Sequence, residues 1–412
     1  MTIKVWADRA EAGRLDRTPP RGSAFAYAPG TPEGRAISLT MPVRVASWNV
    51  DFGLAPIFDM NLPEGALRER LRLAFAKATG TFDDFDLLTI VGRSQIGRLR
   101  YTGETDDLDE EVPFQSVDEI LAARRDSGLL PYLLERLARF SGISGVQPKI
   151  LVRDEDDLAI ATKGERTSFR GATHIVKFWE GEYPELATNE YFCLRAARRC
   201  GLEVPRFRLA EDGGALVIDR FDLKPDGTWR GFEDFAVLNG RRTADKYGGS
   251  YETSVLRRFT QFASGLGVAA DIERLFTLIV LNCALRNGDA HLKNFGVVYD
   301  DVAGPIQLAP VFDVITTTAY LPVDAMALSL DGTTRWPSAA RLQAFGETRG
   351  VGAPAVVRAV RQRVAEALAE TALELKAHMA EHPAFREIGA RMLAEWAKGA
   401  ADSLGVIGAI GV

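Results

Sequence analysis

The ten residues from Arg286 to Phe295, RNGDAHLKNF, decide how the fold of this chain is interpreted. Asp289 and Asn294 are five positions apart, which is the D-x-x-x-x-N spacing of a protein-kinase catalytic loop. In such a loop the aspartate orients the attacking hydroxyl or accepts its proton, and the asparagine holds a metal ion. His291 lies between the two. Two other interpretations stay open, namely an N-G-D turn that ends a helix and a purely structural histidine.

A second metal-binding carboxylate is expected shortly after this loop, and Asp313 in LAPVFDV supplies it across a predicted hairpin. Hard cations such as Mg²⁺ prefer carboxylate and amide oxygens, which Asp313 and Asn294 together provide. The alternative is that Asp313 caps the turn formed by the following TTT. A literal D-F-G sequence occurs at residues 51–53, but it lies far upstream of the other elements and is interpreted as chance.

A cation for the phosphates is predicted at Lys177 in THIVKFW, on a strand that follows a hairpin. Ile175 and Val176 beside it are expected to be buried, and a buried lysine needs a partner. Glu190 on the next predicted helix points toward the sheet and is the expected partner. The alternatives are a surface lysine on an edge strand and a solvated glutamate favoured by the helix dipole.

A phosphate-covering loop is predicted at SGISGVQPK, Ser141 to Lys149. Gly142 and Gly145 would let backbone N–H groups approach phosphate oxygens closely. The loop is neither G-x-G-x-x-G nor a Walker sequence, so ordinary turn formation explains it equally well.

The composition is that of an ordinary globular protein, with 46% hydrophobic residues, 26% charged residues and a net charge of −6. No run of eighteen apolar residues predicts a transmembrane helix, and the N-terminus lacks the apolar segment of a signal peptide. The three cysteines have no metal-type spacing and are expected in the core. We therefore expect a cytoplasmic protein, and the negative charge argues against non-specific nucleic-acid binding by the whole chain.

The order of predicted elements indicates an α+β fold with two lobes, typical of protein kinases. Residues 140–222 are predicted as three strands, a helix and two strands, whereas helices dominate after residue 222. An acidic stretch without apolar periodicity marks the first boundary. The predicted domains are an N-terminal α/β subdomain (1–125), a small lobe with the glycine-rich loop (126–222) and a mostly helical large lobe (223–412).

These residues make the chain resemble the HipA family of bacterial serine/threonine kinases, which are the toxin halves of HipA–HipB toxin–antitoxin pairs. The resemblance covers nearly the whole chain. Its core consists of six short blocks in the family's order: SGISGVQPK, THIVKF, NEYFCLRAAR, LVIDRFD, NGDAHLKNF and LAPVFDV. The stretches NLPEGALRERL and DDFDLLTIVGRSQIGRLRY resemble the small domain that precedes the kinase core in that family.

The resemblance implies that ATP and Mg²⁺ are the cofactors and assigns a role to each candidate residue. Asp289 would be the catalytic residue with His291 nearby, and Asn294 and Asp313 would bind Mg²⁺. Asp219 and Phe221 would hold adenine at the hinge, although the family usually has glutamate at position 219. The implied nucleotide-binding residues are Ser144, Gly145, Val146, Gln147, Lys149, Lys177, Glu190, Asp219 and Phe221.

The resemblance also implies autophosphorylation of a serine in the glycine-rich loop, which ejects the loop and silences the enzyme. The serine found before the isoleucine in some relatives is Gly142 here, and Ser144 is the expected site. A phosphate there would place negative charge where the phosphates of ATP should lie.

The partners implied by the resemblance are a HipB-like helix-turn-helix antitoxin and a protein substrate such as an aminoacyl-tRNA synthetase, whose modification would arrest growth. DNA contact would be indirect through the antitoxin, and no membrane contact is expected. Three alternative functions are a small-molecule phosphotransferase, a degenerate kinase fold serving as a binding partner or transcriptional co-regulator, and a metal nuclease. A degenerate kinase fold is expected to lack at least one of the four main active-site residues. This sequence has all of them: Lys177, Asp289, Asn294 and Asp313.

Overall fold

The computed structural model describes residues 2–79, 82–108, 111–125, 127–154, 170–178, 181–408 and 410, without the side chains of residues 76–79. The chain divides into two compact units. Unit 1 comprises Met1–Phe178, Val217–Ala244 and Val297–Ile306, and unit 2 comprises Trp179–Leu216, Asp245–Gly296 and Gln307–Val412. The division into three domains at residues 125 and 222 stays a prediction.

Unit 1 contains a five-stranded antiparallel sheet in the order β4-β3-β2-β1-β5. Ile3, Val5 and Ala7 of the first strand are fully buried, and the residues between them are partly exposed. Successive side chains of a strand point to opposite faces, so the alternation of apolar and polar residues in IKVWAD predicts a strand, and the structure has one there. The strands are β1 (Thr2–Ala7), β2 (Ala10–Thr18), β3 (Gly22–Tyr27), β4 (Trp48–Val50) and β5 (Leu99–Gly103).

The helices of unit 1 include the one predicted from the spacing of Leu67 and Leu71, both of which are buried. The next helix begins with a reciprocal capping box, in which the Asp83 carboxylate accepts from the backbone N–H of Asp86 and the Asp86 carboxylate accepts from that of Asp83. The helices are α1 (Pro56–Asp59), α2 (Gly65–Thr79), α3 (Asp84–Val91), α4 (Val117–Ala122), α5 (Leu129–Leu137) and α7 (Phe235–Leu238).

The strands that carry the glycine-rich loop and Lys177 are β6 (Lys149–Val152) and β7 (His174–Phe178), which pair antiparallel. On its other side β7 neighbours β9 (Ala215–Asp219), which belongs to unit 1 from Val217 onward. Unit 1 also holds β10 (Gly231–Asp234), which neighbours β11 (Gly296–Tyr299), a strand that belongs to unit 1 from Val297 onward. The strand predicted at LAIATKG, residues 158–164, lies outside the described residues.

Unit 2 is mainly helical, and the apolar spacing of the sequence from Ala353 onward predicts a long amphipathic helix there, which the structure contains. Val357, Val360, Val364 and Leu368 form its fully buried stripe. The three cysteines are buried, as predicted. The elements are α6 (Leu186–Arg199), β8 (Phe207–Leu209), α8 (Arg258–Phe262), α9 (Val268–Leu285), β12 (Gln307–Leu308), α10 (Ala339–Thr348), α11 (Pro354–Glu381) and α12 (Arg386–Gly399).

Helices α9 and α12 approach each other closely at Gly399. A Cβ atom added to Gly399 would lie 1.9 Å from the carbonyl oxygen of Ala284, well inside van der Waals contact. We expect Gly399→Ala to lower the free energy of unfolding by about 2 kcal/mol, because the backbone must shift to admit the methyl group. Urea denaturation measures this loss. The matched control is Gly267→Ala, since a Cβ at Gly267 meets no atom within 4 Å; equal stability of the two variants would contradict the expectation.

Candidate active site

The predicted catalytic loop lies in unit 2 and begins where α9 ends. Arg286 adopts a left-handed conformation with φ of 59°, and the backbone N–H of Asn287 donates to the carbonyl of Asn282 at 2.9 Å. This is a helix C-cap, so the N-G-D turn predicted at this position is confirmed. The loop ends in a 3₁₀ turn at Leu292–Asn294. This turn directs Asn294 back toward Asp289.

Gly288 allows this loop to pack tightly against the segment that follows Asp313. Its backbone N–H donates to the hydroxyl of Thr317 at 2.7 Å, and that hydroxyl also lies 2.5 Å from a carboxylate oxygen of Asp324. A Cβ on Gly288 would come within 2.0 Å of the same carboxylate. Position 288 therefore favours glycine, because the Asp324 carboxylate approaches too closely for a residue with a Cβ.

Asn294 joins the catalytic loop to Asp313 through its side-chain amide. Its Nδ2 donates to the carbonyl of Asp289 at 2.9 Å and to the carbonyl of Asp313 at 3.2 Å. Because carbonyls only accept, these two bonds fix the amide so that Oδ1 faces the other way. Within the described chain, Oδ1 is buried and has no hydrogen-bond partner. A buried amide oxygen without a donor fits a hard cation as its missing partner.

Asp313, the second predicted metal ligand, has a strained backbone. Its φ is 54°, a left-handed value that non-glycine residues adopt rarely and aspartate tolerates better than most. The 3₁₀ turn that follows, Thr317–Ala319, has Thr316 at its N-cap and no side-chain cap, so the interpretation of Asp313 as the cap of that turn is wrong. Strain retained at such a position is typical of functional sites.

The Asp289 carboxylate is half-buried, and among the described residues it accepts one hydrogen bond, from the phenol of Tyr247 to Oδ1 at 2.8 Å. Burial raises the pKa of Asp289 above its usual range, and the negative charge of Asp313 adds to this effect. The hydrogen bond from Tyr247 and the positive charge of Lys246 oppose the rise in pKa. A base with a raised pKa takes a proton more readily than an exposed aspartate.

His291 is buried, and its ring packs edge-on against that of Tyr247 with 5.1 Å between centroids. Burial lowers the pKa of His291 to about 3, and the positive charge of Lys246 contributes. The imidazole is therefore neutral at pH 7. Its Nδ1 has no hydrogen-bond partner in the described residues, so a fully satisfied structural histidine does not describe it. A catalytic role for His291 stays a prediction.

The glycine-rich loop lies in unit 1, where the segment just before α2 contacts it. The hydroxyl of Ser144 donates to the carboxylate of Glu64 at 2.5 Å. Gly65, with φ of 52°, lies so close to the loop that an added Cβ would be 2.7 Å from the carbonyl oxygen of Val146. These two contacts, which we name the Glu64 clasp, hold residues 144–146 in place.

Two buried lysines face the same side of the sheet behind this loop. Lys149 and Lys177 are direct cross-strand partners on β6 and β7, and they are 3% and 4% exposed. Because β7 has a strand on each side, the interpretation of Lys177 as a surface residue on an edge strand is wrong. Like charges opposite one another repel, so two buried ammonium groups in this arrangement need negative or polar groups beside them.

The loop is also tied to the end of β7 and crowded by Lys149. The side chain of Gln147 donates to the carbonyl of Phe178 at 2.9 Å. Gly145 has φ of 125°, and a Cβ there would lie 2.1 Å from Nζ of Lys149. Glycine at this position therefore keeps room for the ammonium group of Lys149.

The predicted hinge follows β9 in unit 1. Asp219 is partly exposed, with its carboxylate 3.5 Å from Nε2 of His174, and the ring of Phe221 packs edge-on against that of Phe232. The next residues are anchored firmly, because Arg220 and Asp222 form a buried ion pair. Contact with adenine by Asp219 and Phe221 stays a prediction.

Two family models match this chain. The HipA N-terminal domain matches residues 3–102, and the HipA-like C-terminal domain matches residues 141–402, which is more than half of the chain. The chain belongs to the HipA family. Two Sinorhizobium fredii proteins, "Putative kinase Y4mE" and the similarly named Y4dM, are 29% and 30% identical to this HipA-family chain. The matches cover 89% and 68% of the chain, and 91% and 66% of the relatives.

A solved structure has the same fold. It is from the Shewanella oneidensis MR-1 toxin–antitoxin complex of HipA, HipB and operator DNA, with a TM-score of 0.65 and 18% identity, and the match covers 96% of this chain and 97% of that one. The predicted α+β, kinase-like fold of the HipA-family chain is thereby confirmed, and its family and relatives identify it as a HipA-type kinase. No helix in its described residues is long and apolar enough to cross a membrane.

The candidate residues of the HipA-family chain fall into two sets. Unit 1 carries the glycine-rich loop, Lys177 and the hinge, whereas unit 2 carries Asp289, Asn294 and Asp313. Glu190 belongs to unit 2 and is fully buried on α6, so the interpretation of a solvated helix-start glutamate is wrong. Its pairing with Lys177 stays a prediction.

Four residues that contact the site were not predicted from the sequence: Glu64, Tyr247, Thr317 and Asp324. Each contacts the site through space, and none of the four was itself singled out by a motif. Tyr247 precedes Asp289 by 42 positions. Their side chains are of common types, and no spacing distinguishes them. The paired glycines after Tyr247, in KYGGSY, were the one local signal of a tight turn.

Proposed function

We propose that this HipA-family chain is a Mg·ATP-dependent protein serine/threonine kinase that acts as the toxin of a toxin–antitoxin pair. The observation that carries the proposal is the amide of Asn294, which is fixed between Asp289 and Asp313 with its buried Oδ1 turned away from both bonds. In this proposal the Asp289 carboxylate is the proton acceptor, and Asn294 and Asp313 are the oxygen ligands of a cation, which together form the set that phosphoryl transfer requires.

The proposed cation would have two ligands from the protein, Asn294 and Asp313. The described residues contain no cluster of three or more His, Cys, Asp or Glu side chains suited to a metal ion. Mg²⁺ usually binds one or two protein oxygens and completes its shell with water and substrate phosphates. Asn294 and Asp313 fit this pattern, and the bound ion would neutralise charge on the phosphates during transfer.

In the proposed reaction Asp289 orients the acceptor hydroxyl and takes its proton. As the hydroxyl oxygen bonds to the γ-phosphorus, the bond from that phosphorus to the departing ADP oxygen breaks, so one bond forms and one breaks. Lys149 and Lys177 bind the phosphate oxygens, which offsets the repulsion between two buried ammonium groups. Ser144, Gly145 and the neighbouring backbone cover the phosphates, while Asp219 and Phe221 hold the base.

The proposed substrate is a translation component such as an aminoacyl-tRNA synthetase, and the proposed inhibitor is a HipB-like helix-turn-helix protein. Support for the inhibitor comes from the Shewanella oneidensis structure, which is a complex of HipA with HipB and operator DNA. This chain would then contact DNA through the antitoxin.

Transfer of label from γ-labelled ATP to proteins of a host lysate tests the proposed activity. With Mg²⁺ present we expect wild-type protein to label at least one lysate protein on serine or threonine, and Asp289→Ala to label none. Phosphoamino-acid analysis identifies the acceptor type. Identical labelled bands from the wild type and the variant would refute the proposal.

We expect Ser144 to become phosphorylated and the Glu64 clasp to open as a result. A phosphate adds about −1.5 to −2 charges beside the carboxylate of Glu64, so repulsion replaces the present hydrogen bond. After incubation with Mg·ATP, mass spectrometry should locate one phosphate on Ser144, with transfer activity lowered about tenfold or more.

Two variants provide the controls for this expectation. Ser144→Ala should stay active after the same incubation, and Glu64→Gln should be silenced less completely because one repelling charge is gone. A chain that is silenced without phosphate on Ser144 would contradict the proposed site.

A further inference from the structure

Tyr247 has no role in the proposed reaction so far, although it contacts the residue at its centre. Its phenol donates to Oδ1 of Asp289 at 2.8 Å, and in the described part of the chain this is the one hydrogen bond to that carboxylate. A carboxylate has two oxygens, so Oδ2 stays available to an acceptor hydroxyl while Tyr247 holds Oδ1.

Backbone hydrogen bonds attach the segment around Tyr247 to the loop that carries Asp289, and they restrict the position of the tyrosine. The backbone N–H of Leu292 donates to the carbonyl of Lys246 at 3.1 Å, and the ring of Tyr247 packs against His291. From the other side, the N–H of Ser329 donates to the carbonyl of Gly249 at 3.2 Å. The tyrosine is thus held at both ends of its short turn, while its side chain remains 53% exposed.

We propose that Tyr247 is a positioning residue for phosphoryl transfer, whose phenol fixes one oxygen of Asp289 so that the other faces the acceptor hydroxyl. A neutral donor suits this task, because it orients the carboxylate and leaves its negative charge in place. An ammonium group at the same point would form an ion pair and weaken the base. This inference rests on the proposed kinase function.

The phenol is removed, with the ring retained, in Tyr247→Phe. We expect the maximal rate of label transfer from γ-labelled ATP to lysate protein to fall about tenfold, since a hydrogen bond to a charged group is lost. The ATP concentration at half-maximal rate should change less than twofold. Tyr132→Phe is the matched control, because Tyr132 is a similarly exposed tyrosine whose hydroxyl accepts from Arg136.

A double-mutant comparison separates positioning from a general effect on structure. In an Asp289→Asn background, adding Tyr247→Phe should lower the residual rate less than twofold, because the carboxylate to be positioned is absent. Equal losses in both backgrounds would show a structural role and overturn the proposal. A rate that is unchanged or faster in the single variant would overturn it too, the faster rate indicating that the phenol obstructs the acceptor.

A crystal structure of Tyr247→Phe gives a readout that does not depend on turnover. We expect the Asp289 side chain to leave its wild-type rotamer or to occupy several. A carboxylate that keeps the wild-type rotamer would refute the positioning role even if the kinase activity were absent. Conversely, a wild-type chain that labels no protein would refute the proposed function without deciding the role of Tyr247.

Discussion

Replacement of Asp289 by asparagine is expected to lower the rate of phosphoryl transfer about 10³-fold, within the range that general base catalysis contributes. Asparagine fills the same volume and still accepts the hydrogen bond from Tyr247, but it cannot take the proton of the acceptor hydroxyl. Single-turnover transfer from γ-labelled ATP measures the change.

The stability of this variant distinguishes lost chemistry from lost structure. Because burial raises the pKa of Asp289, its ionised form costs folding free energy at pH 7. Asp289→Asn should therefore unfold at the same temperature as the wild type or slightly above it. The matched control is Asp300→Asn at an exposed turn, where the nearest cation is 3.7 Å away. Wild-type activity in Asp289→Asn would exclude Asp289 as the base.

Replacement of Asp313 by asparagine is expected to lower the maximal rate about 10²-fold and to raise the Mg²⁺ concentration at half-maximal rate at least tenfold. The variant loses a carboxylate ligand but keeps an oxygen of similar position. Asparagine also tolerates the left-handed backbone found at position 313, so the turn should survive. A titration of activity with Mg²⁺ at saturating ATP measures both effects.

A binding measurement keeps this expectation independent of catalysis. Titration calorimetry with Mn²⁺ and a non-hydrolysable ATP analogue should show weaker metal binding in Asp313→Asn than in the wild type or in Asp300→Asn. Unchanged affinity for the metal would remove Asp313 from the metal site, whatever happens to the rate.

The turn that carries Asp289 and Asn294 was predictable because its information is local. A helix that ends, an aspartate and an asparagine five positions later all lie within one short stretch, and the structure shows the same turn. The long helix α11 was predictable for a similar reason, since the spacing of Val357, Val360 and Val364 alone determines which face is buried.

Contacts between distant segments were not predictable from one sequence. Nothing near Tyr247 indicates that it reaches Asp289. Nothing in NLPEGALRERL indicates that Glu64 accepts a hydrogen bond from Ser144. Strand β2 was missed as well, because AEAGRLDRT lacks the regular alternation of apolar and polar residues. Such features depend on how segments pack, which the periodicity of any single segment does not encode.

The Glu64 clasp joins two stretches of the sequence that recombination could separate. Residue 64 lies within the stretch matched by one family model, and Ser144 within the stretch matched by the other. Recombination that exchanged the first hundred residues for those of a relative would replace one side of the clasp and keep the other. The two halves of the gene are therefore expected to diverge together, with changes near position 64 accompanied by changes in the loop it restrains.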